Sequence, residues 1–271
     1  MTKQEREARR DIVVKMYIEE EKSINQISKE LGVDWATVRR DLDSRNVEVQ
    51  TIRNQYGSSN GISNHLFEKI DDSDSAYWLG FLYADGSVRK DRNEIVLDLQ
   101  EKDLKSVEDF HQYCGNKNSI RTHNKKLNGK DFISYASGFS NAKVKQNLMR
   151  LGCVPNKSLI LTFPIEEQVP TSYIYDFVRG YIDGDGYIQF DREKHRYRIM
   201  ILGTEDFLKG LMNRLDLFNH CSISKDKNSS IYVLTISHKD FVLELLEKLY
   251  GNSKYHLQRK YDIYKQAIEG A

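Results

Sequence analysis

Residues 177–188 read FVRGYIDGDGYI, an apolar, helix-like run that ends on two Asp-Gly pairs. The C-terminal end of a helix carries partial negative charge, so carboxylates there are unfavourable unless a positive charge compensates them. Residues 75–88, SAYWLGFLYADGSV, show the same order of glycine, apolar run, Asp-Gly and strand-like residues. The sequence therefore predicts two helices of one design, each with an acid at its C-terminal end.

From residue 75 onward the chain follows one pattern twice. Each copy reads as the apolar helix, two strands, an amphipathic helix, two more strands and a last helix. Repetition on this scale indicates two pseudo-symmetric subdomains, and the alternation of hairpins indicates antiparallel sheets with one free face. We therefore expect an α+β fold with two αββαββα subdomains, at residues 75–170 and 171–271.

Residues 1–50 read as a small all-α domain. In SINQISKELGVDWATVRRDL, residues 23–42, Gly32 follows one apolar helix and Asp34 is placed to cap the next. This helix-turn-helix pattern is typical of DNA-binding modules, although an ordinary helical hairpin in an interaction module gives the same pattern. On the second helix, the residues that would face outward toward DNA are Trp35, Arg39 and Arg40.

The segment between these parts, residues 51–74, contains glycine, serine and asparagine residues that interrupt any periodicity. We interpret it as a linker. A flexible tether is the simpler reading, and a path along DNA is the alternative.

The composition sets limits on the class of protein. The 271 residues are 39% hydrophobic, enough for a core, and the net charge is only +1. A nucleic-acid partner would therefore require basic residues concentrated on one face. No apolar run approaches the ~20 residues that span a bilayer. The sequence thus predicts no membrane association and a cytoplasmic protein of a bacterial or phage-infected cell.

Cysteine and histidine give no sign of a disulfide framework or a zinc site. Cys114, Cys153 and Cys221 are odd in number and far apart, which favours a reduced environment. The histidines show no spacing typical of metal ligands, so we assign them no metal role.

Small residues recur four positions apart in both predicted helices, a spacing that places them on one helix face. The pairs are Gly80 with Ala84, and Gly180 with Gly184. Small side chains there would let the two helix backbones approach closely, as a helix–helix interface. The C-terminal ends would then lie side by side, with Asp85 and Asp185 together.

Such paired ends would collect carboxylate and carbonyl oxygens with net negative charge. Divalent cations that prefer hard oxygen ligands, Mg²⁺ above all, fit a cluster of this kind. The sequence therefore predicts a metal bound by Asp85 and Asp185. The alternative is that each aspartate only caps a turn.

These residues also carry a family resemblance. WLGFLYADG, residues 78–86, and VRGYIDGDG, residues 178–186, resemble the two motifs of a single-chain LAGLIDADG homing endonuclease. The similarity continues in GCVPNKSLILTFP and in YHLQRKYDIY, and it covers residues 74–265. Residues 1–50 resemble the helix-turn-helix modules attached to some phage and bacterial members.

The resemblance implies a fold and an activity. The motif helices would form the interface between the subdomains, and two four-stranded sheets would form a saddle over double-stranded DNA with a long recognition site. Asp85 and Asp185, with the backbone carbonyls of Ala84 and Gly184, would bind Mg²⁺ or Mn²⁺. Metals so placed activate water and stabilise the charge of phosphodiester hydrolysis. The implied protein is a monomeric, site-specific nuclease that makes double-strand breaks and serves intron or intein mobility.

Further site residues follow from the same resemblance, which places a basic or amide side chain near each scissile phosphate. The candidates are Gln100, Lys102, Lys143 and Lys239. Outward positions on the strands would contact DNA, with arginine suited to guanine and to phosphates. The candidates are Arg89, Arg121, His123, Arg192, Arg196, Arg198 and Lys225. Any of these side chains could instead be a solvated surface residue.

One motif position differs between the copies, because Tyr83 stands where the second copy has Asp183. The resemblance gives that acid a structural role, so we expect cleavage to survive the difference. Two other functions are compatible with the same scaffold. One is a non-catalytic, DNA-binding transcription regulator, and the other is an RNA maturase that assists intron splicing.

Overall fold

A computed structural model of the chain describes residues 3–20, 22, 24–47, 61–127, 129–191, 193–194, 196–226 and 230–269. The chain divides into two units, Met1–Gly57 and Ser58–Ala271.

The first unit is built from helices α1 (Lys3–Ile18), α2 (Ile24–Leu31) and α3 (Trp35–Asp43). Their buried faces meet in a small core that includes Val13, Ile27 and Val38. Gly32 turns the chain between α2 and α3 with a φ of +63°, a conformation that favours glycine. The Asp34 carboxylate accepts a hydrogen bond of 2.8 Å from the Thr37 amide and caps α3. The predicted turn and cap are therefore confirmed.

The second unit contains two copies of one arrangement, as the sequence predicts. The first copy consists of α4 (Ser73–Ala84), β1 (Gly86–Val88), β2 (Glu94–Gln100), α5 (Leu104–Tyr113), β3 (Arg121–Leu127), β4 (Lys130–Ser140) and α6 (Ala142–Arg150). The second consists of α7 (Ile174–Asp185), β5 (Gly186–Asp191), β6 (Arg196–Gly203), α8 (Glu205–Arg214), β7 (Cys221–Lys225), β8 (Tyr232–Ile236) and α9 (Lys239–Tyr250). A further helix, α10 (Gln258–Glu269), follows the second copy.

Each copy forms a four-stranded antiparallel sheet, with strand orders β1-β2-β4-β3 and β5-β6-β8-β7. One face of each sheet is buried and the other is open. In β6, for example, Tyr197 and Ile199 are buried whereas Arg196 and Arg198 are exposed, because successive side chains point to opposite faces. The predicted α+β fold with two αββαββα subdomains is confirmed.

The core of this unit also includes part of the predicted linker. Ile62, Phe67 and Ile70 are buried in the same cluster as Trp78 of α4. Residues 61–70 thus pack against the first copy instead of forming a free tether. The reason is local, because three apolar side chains at these positions gain about 1.5–3 kcal/mol each when removed from water.

Glycine brings α4 and α7 into direct contact. A Cβ atom on Gly80 would lie 2.0 Å from the carbonyl oxygen of Phe177, and one on Gly180 would lie 2.0 Å from that of Tyr77. A Cβ atom on Gly184 would lie 2.3 Å from that of Ala84. The four small residues predicted for the helix interface therefore lie in it, and no larger side chain fits at the glycines.

Within the ranges given above, no helix combines the length and the apolar character needed to cross a bilayer. The thiols of Cys114, Cys153 and Cys221 are all free.

We expect Gly80→Ala and Gly180→Ala each to lower the free energy of unfolding by about 1–3 kcal/mol, since the added methyl group has no space between the helices. Urea denaturation would measure the change. In an exposed helix without close neighbours, Gly→Ala stabilises the helix by about 1 kcal/mol. The effect expected at the interface of α4 and α7 therefore has the opposite sign.

Gln146→Ala, at an exposed position of α6, is the matched control and should change stability by no more than about 0.5 kcal/mol. A higher urea midpoint for either glycine variant would contradict the close packing of α4 and α7.

Candidate active site at the paired helix ends

The two motif helices end side by side, and each end carries an aspartate. Asp85 is the residue that follows α4, and Asp185 is the last residue of α7. The Cβ position of Gly184 lies 3.1 Å from Oδ2 of Asp85. The contact that the glycines allow therefore places Asp85 directly against the end of α7.

The environment disfavours negative charge on both carboxylates. Burial raises the pKa of Asp185 to about 6, and the neighbouring charge of Asp85 adds to the shift. Burial also raises the pKa of Asp85, although this residue keeps exposed surface. Two acids this close together at helix C-termini are stabilised by a cation.

Two lysines supply part of that positive charge, and sequence reasoning did not single out either of them. Lys157 and Lys260 both lower the pKa of Asp85 and of Asp185, against the effect of burial. Lys157 donates from Nζ to the carbonyl of Gly86. Lys260 donates to the carbonyl of Gly186 at 2.7 Å. Each lysine thus lies beside the Asp-Gly pair of one copy.

The two lysines differ in their surroundings. Lys260 is only 2% exposed and donates also to the carbonyls of Ile182 and of Asp183, the latter at 2.8 Å. This burial lowers the pKa of Lys260 to about 8. Lys157 is half-buried. The sequence did contain a signal, because each lysine follows the last helix of its copy, in GCVPNKS and YHLQRKY.

The remaining motif acid, Asp183, is fully buried in protein contacts. Its carboxylate accepts hydrogen bonds from the hydroxyl groups of Tyr250 at 2.6 Å and Tyr77 at 3.0 Å. At the matching position of the first copy, the hydroxyl of Tyr83 donates to the carbonyl of Leu151. Both side chains join a motif helix to the C-terminal end of the last helix of their copy, as a structural role requires.

The donor atoms at the paired ends suit a hard divalent cation. They comprise two carboxylates and the neighbouring backbone of Ala84 and Gly184, without sulfur or imidazole. No cluster of three or more His, Cys, Asp or Glu side chains occurs in the part of the chain that the structure describes. A bound Mg²⁺ would therefore keep water or phosphate oxygens among its ligands, as Mg²⁺ commonly does.

The other predicted catalytic side chains come from elements other than the two motif helices. Gln100 ends β2, Lys102 follows it, and Lys143 and Lys239 lie near the starts of α6 and α9, all of them exposed. Lys239 faces the ring of Tyr197, 5.5 Å from its centre. The lysines that chiefly shift the pKa of Asp85 and Asp185 are instead Lys157 and Lys260.

On the open face of the first sheet, the predicted DNA-contacting residues pair with acids. Arg121 lies 3.4 Å and Arg89 3.9 Å from the carboxylate of Glu94. His123 lies 3.2 Å from that of Asp98, and Lys125 donates to the same carboxylate at 2.8 Å. These charge networks leave less net positive charge than the basic residues alone suggest.

On the second sheet the predicted residues do not share one face. Arg196 and Arg198 are exposed on the open face of β6. Lys225 pairs with Tyr232 two positions beyond the Ile223–Leu234 pair, and Leu234 is buried in the core. The period of two therefore assigns Lys225 to the covered face, at the end of its strand. Arg192 lies outside the described residues.

In the first unit, the residues predicted to face outward on α3 do so in part. Trp35 is 45% exposed, and the guanidinium of Arg39 lies 5.9 Å from its ring centre. Arg40 is exposed and Arg39 is half-buried. An aromatic ring and two guanidinium groups thus share one part of the surface of α3.

We expect Asp185→Asn to be more stable than the natural chain at pH 7, by about 2 kcal/mol. The folded chain holds a proton on Asp185 up to a pKa of about 6, whereas an unfolded aspartate loses it near about 3.9. This group therefore favours folding at low pH, and the contribution is lost as the pH rises from about 4 to about 6.

Urea denaturation between pH 4 and pH 7.5 would reveal a flatter pH dependence in the variant. Asp131→Asn, at an exposed position of β4, serves as control and should leave the natural profile unchanged. If Asp185→Asn is no more stable than the natural chain at pH 7, the folded structure does not disfavour the charge of Asp185.

Comparison with known proteins agrees with this architecture. Residues 172–250 match the family model of the LAGLIDADG-like domain. A solved structure of the homing endonuclease I-WcaI bound to its DNA recognition sequence superimposes with a TM-score of 0.51 and 17% identity, covering 74% of this chain and 87% of that chain. The LAGLIDADG meganuclease I-AabMI bound to uncleaved DNA gives a TM-score of 0.46 and 12% identity, over 72% of this chain and 88% of that one.

One curated protein is also similar in sequence. The DNA-directed RNA polymerase subunit Rpo1C of Methanocaldococcus jannaschii is 24% identical over 209 residues, 73% of this chain. The match spans 22% of that subunit, so the chain corresponds to about a fifth of its length. The chain thus has the fold of the LAGLIDADG endonucleases, and its residues 172–250 are similar in sequence to the LAGLIDADG-like domain.

Proposed function

We propose that the chain is a site-specific, metal-dependent endonuclease that cuts both strands of DNA. One observation carries the proposal: two carboxylates converge at the ends of pseudo-symmetric helices, and a lysine lies beside each Asp-Gly pair. One solved structure of the same fold is a homing endonuclease bound to its DNA recognition sequence. Mobility of an intron or intein is the corresponding biological role.

Asp85 and Asp185 would hold the cation, assisted by the backbone carbonyls of Ala84 and Gly184. When bound, Mg²⁺ or Mn²⁺ polarises phosphate oxygens and lowers the pKa of water. The raised pKa of Asp185 supports this assignment, because a carboxylate strained by its neighbours gains most from a cation.

Lys157 and Lys260 would act through their positive charge near the phosphate, since Lys260 already donates all three of its N–H groups to backbone carbonyls. Hydrolysis adds negative charge to phosphorus in the transition state, and a fixed ammonium group stabilises that charge in a site shielded from water. The pseudo-symmetry assigns one lysine to each DNA strand. The pKa of Lys260, about 8, also allows this group to hold or release a proton near neutral pH.

DNA would lie across the open faces of both sheets. Arg196 and Arg198 project from the second sheet, where they can pair with phosphates or with guanine. Arg121, Arg89 and His123 would make the contacts of the first sheet. The three-helix unit would lengthen the footprint as a helix-turn-helix module, through Trp35, Arg39 and Arg40 on α3.

We expect Asp85→Asn and Asp185→Asn each to lower the rate of DNA cleavage at least about a hundredfold. Both substitutions keep the shape of the side chain and remove the charge that holds the cation. The measurement is cleavage of a randomised DNA-site library with Mg²⁺, and then of the recovered site. Asp131→Asn is the control and should cut at the natural rate.

The outcomes separate the functions that this scaffold can serve. A specific cut site that both variants lose supports the nuclease. Specific binding of the natural chain without cleavage would favour a transcription regulator. Preference for structured intron RNA over DNA would favour a maturase.

We expect Arg196→Ala and Arg198→Ala each to weaken DNA binding and to reduce the slope of log affinity against log salt by about one for a phosphate contact. A base contact would instead cost about 1–3 kcal/mol at one position of the site. Titration of the recovered DNA site at several salt concentrations distinguishes the two.

Lys225→Ala removes the same charge from the same sheet, but at a position of the covered face. Its affinity and salt slope should stay close to those of the natural chain. Equal losses in all three variants would contradict the assignment of DNA to the open face.

A further inference from the structure

Two charged side chains on α7 have no part in the chemistry above and are nevertheless buried. Arg179 is 3% exposed and Asp183 is 0% exposed. They lie four residues apart, which places them on one face of the helix. Burying charges in this way is costly unless every one of them is bound by partners. Their partners therefore indicate what the burial accomplishes.

Arg179 holds the chain on both sides of the turn after α9. Its Nη1 donates to the carbonyl of Leu249 at 2.8 Å, and its Nε donates to the carbonyl of Tyr255 at 3.0 Å. A second contact of Nη1, to the carboxylate of Asp176 at 2.8 Å, balances its charge. The guanidinium group thus fixes the distance between the end of α9 and the segment that follows it.

Asp183 holds the same segment one turn further along α7. Its carboxylate accepts from the hydroxyl of Tyr250 at 2.6 Å and from the amide of Leu257 at 2.8 Å. The hydroxyl of Tyr77, on α4, donates to it at 3.0 Å. Arg179 and Asp183 together therefore bind residues 249–257 to α7 by four hydrogen bonds.

This segment leads directly into the helix that carries Lys260. The carbonyl of Leu257 accepts from the amide of Lys260 at 2.9 Å, as part of the first turn of α10. Lys260 then returns to α7, where its Nζ donates to the carbonyls of Asp183 and Gly186. Lys260 is therefore connected to α7 in two ways, through the backbone of Leu257 and directly through its own Nζ.

The first copy lacks this arrangement around its own lysine. Tyr83 occupies the position of Asp183 and donates one hydrogen bond, to the carbonyl of Leu151. A hydroxyl donor cannot accept a backbone amide and two further donors as a carboxylate does. The second copy thus holds its lysine by a more extensive set of contacts than the first.

We propose that Asp183 and Arg179 are positioning residues, which hold Lys260 against the Asp185 end of α7 and so set the rate at which one of the two DNA strands is cut. This inference rests on the proposed function, in which Lys260 acts at one scissile phosphate. Displacement of a catalytic group by about 1 Å lowers rates up to about a hundredfold, so the contacts of this segment control the reaction without touching DNA.

The test measures cleavage of each strand separately, on DNA labelled at either end, for Asp183→Asn, Tyr250→Phe and Lys260→Met. Asp183→Asn and Tyr250→Phe should slow the same strand that Lys260→Met slows, by about 10- to 100-fold, with unchanged DNA affinity. Tyr250→Phe removes a single hydroxyl group and keeps the measurement available if Asp183→Asn folds poorly.

The double variants separate positioning from general loss of structure. With Lys260→Met already present, Asp183→Asn and Tyr250→Phe should have no further effect on that strand, because both act through Lys260. Tyr83→Phe is the matched control from the first copy, and its effect should add to that of Lys260→Met. The proposal would be overturned if the losses of cleavage rate from Asp183→Asn and Lys260→Met multiply in the double variant. It would also be overturned if Asp183→Asn slows the cleavage of both strands equally.

A second readout is independent of cleavage. Hydrogen exchange at the Leu257 amide should rise at least about tenfold in Asp183→Asn, since the amide loses a charged acceptor. Unchanged exchange would overturn the positioning role. A natural chain that cuts no DNA would instead overturn the proposed function, and the exchange at Leu257 would still decide whether Asp183 holds the segment.

Discussion

The structure of the second unit depends on the contact between α4 and α7. Gly80 and Gly180 let the backbone of each helix lie against carbonyl groups of the other, a separation that no side chain permits. Everything at the site follows from this approach. It places Asp85 beside Gly184. It also gives both carboxylates an environment in which burial raises their pKa, and Lys157 and Lys260 supply part of the positive charge that compensates.

The same contact determines how the acids at the paired helix ends affect stability. Two acids at two helix C-termini lower the stability of the folded chain at neutral pH, because burial and mutual repulsion both disfavour their charge. In the proposed nuclease, a bound cation would offset this loss. Asp183 has a different environment. It accepts hydrogen bonds from three donors and is fully buried.

Local patterns predicted the parts of the fold that local physics determines. The glycine spacing of Gly80 and Gly180, the turn at Gly32 and the cap at Asp34 all follow from the backbone preferences of a few adjacent residues. Lys157 and Lys260 were not singled out, because their matching positions after the last helix of each copy gain a role only when the chain returns to the helix ends. The face on which Lys225 lies could not be predicted, because the face of a strand residue depends on register. The burial of Phe67 could not be predicted locally, because it depends on a core formed by residues distant in sequence.

The difference between Tyr83 and Asp183 has a consequence for how the two halves can change. In a symmetric dimer of identical chains, one substitution alters both halves at once. Here the two positions have separate codons, so a donor in one half and an acceptor in the other coexist, each matched to the end of its own last helix. The halves can therefore be adjusted independently, and in the proposed nuclease one half-site of DNA could be exchanged for another without a matching change across the molecule.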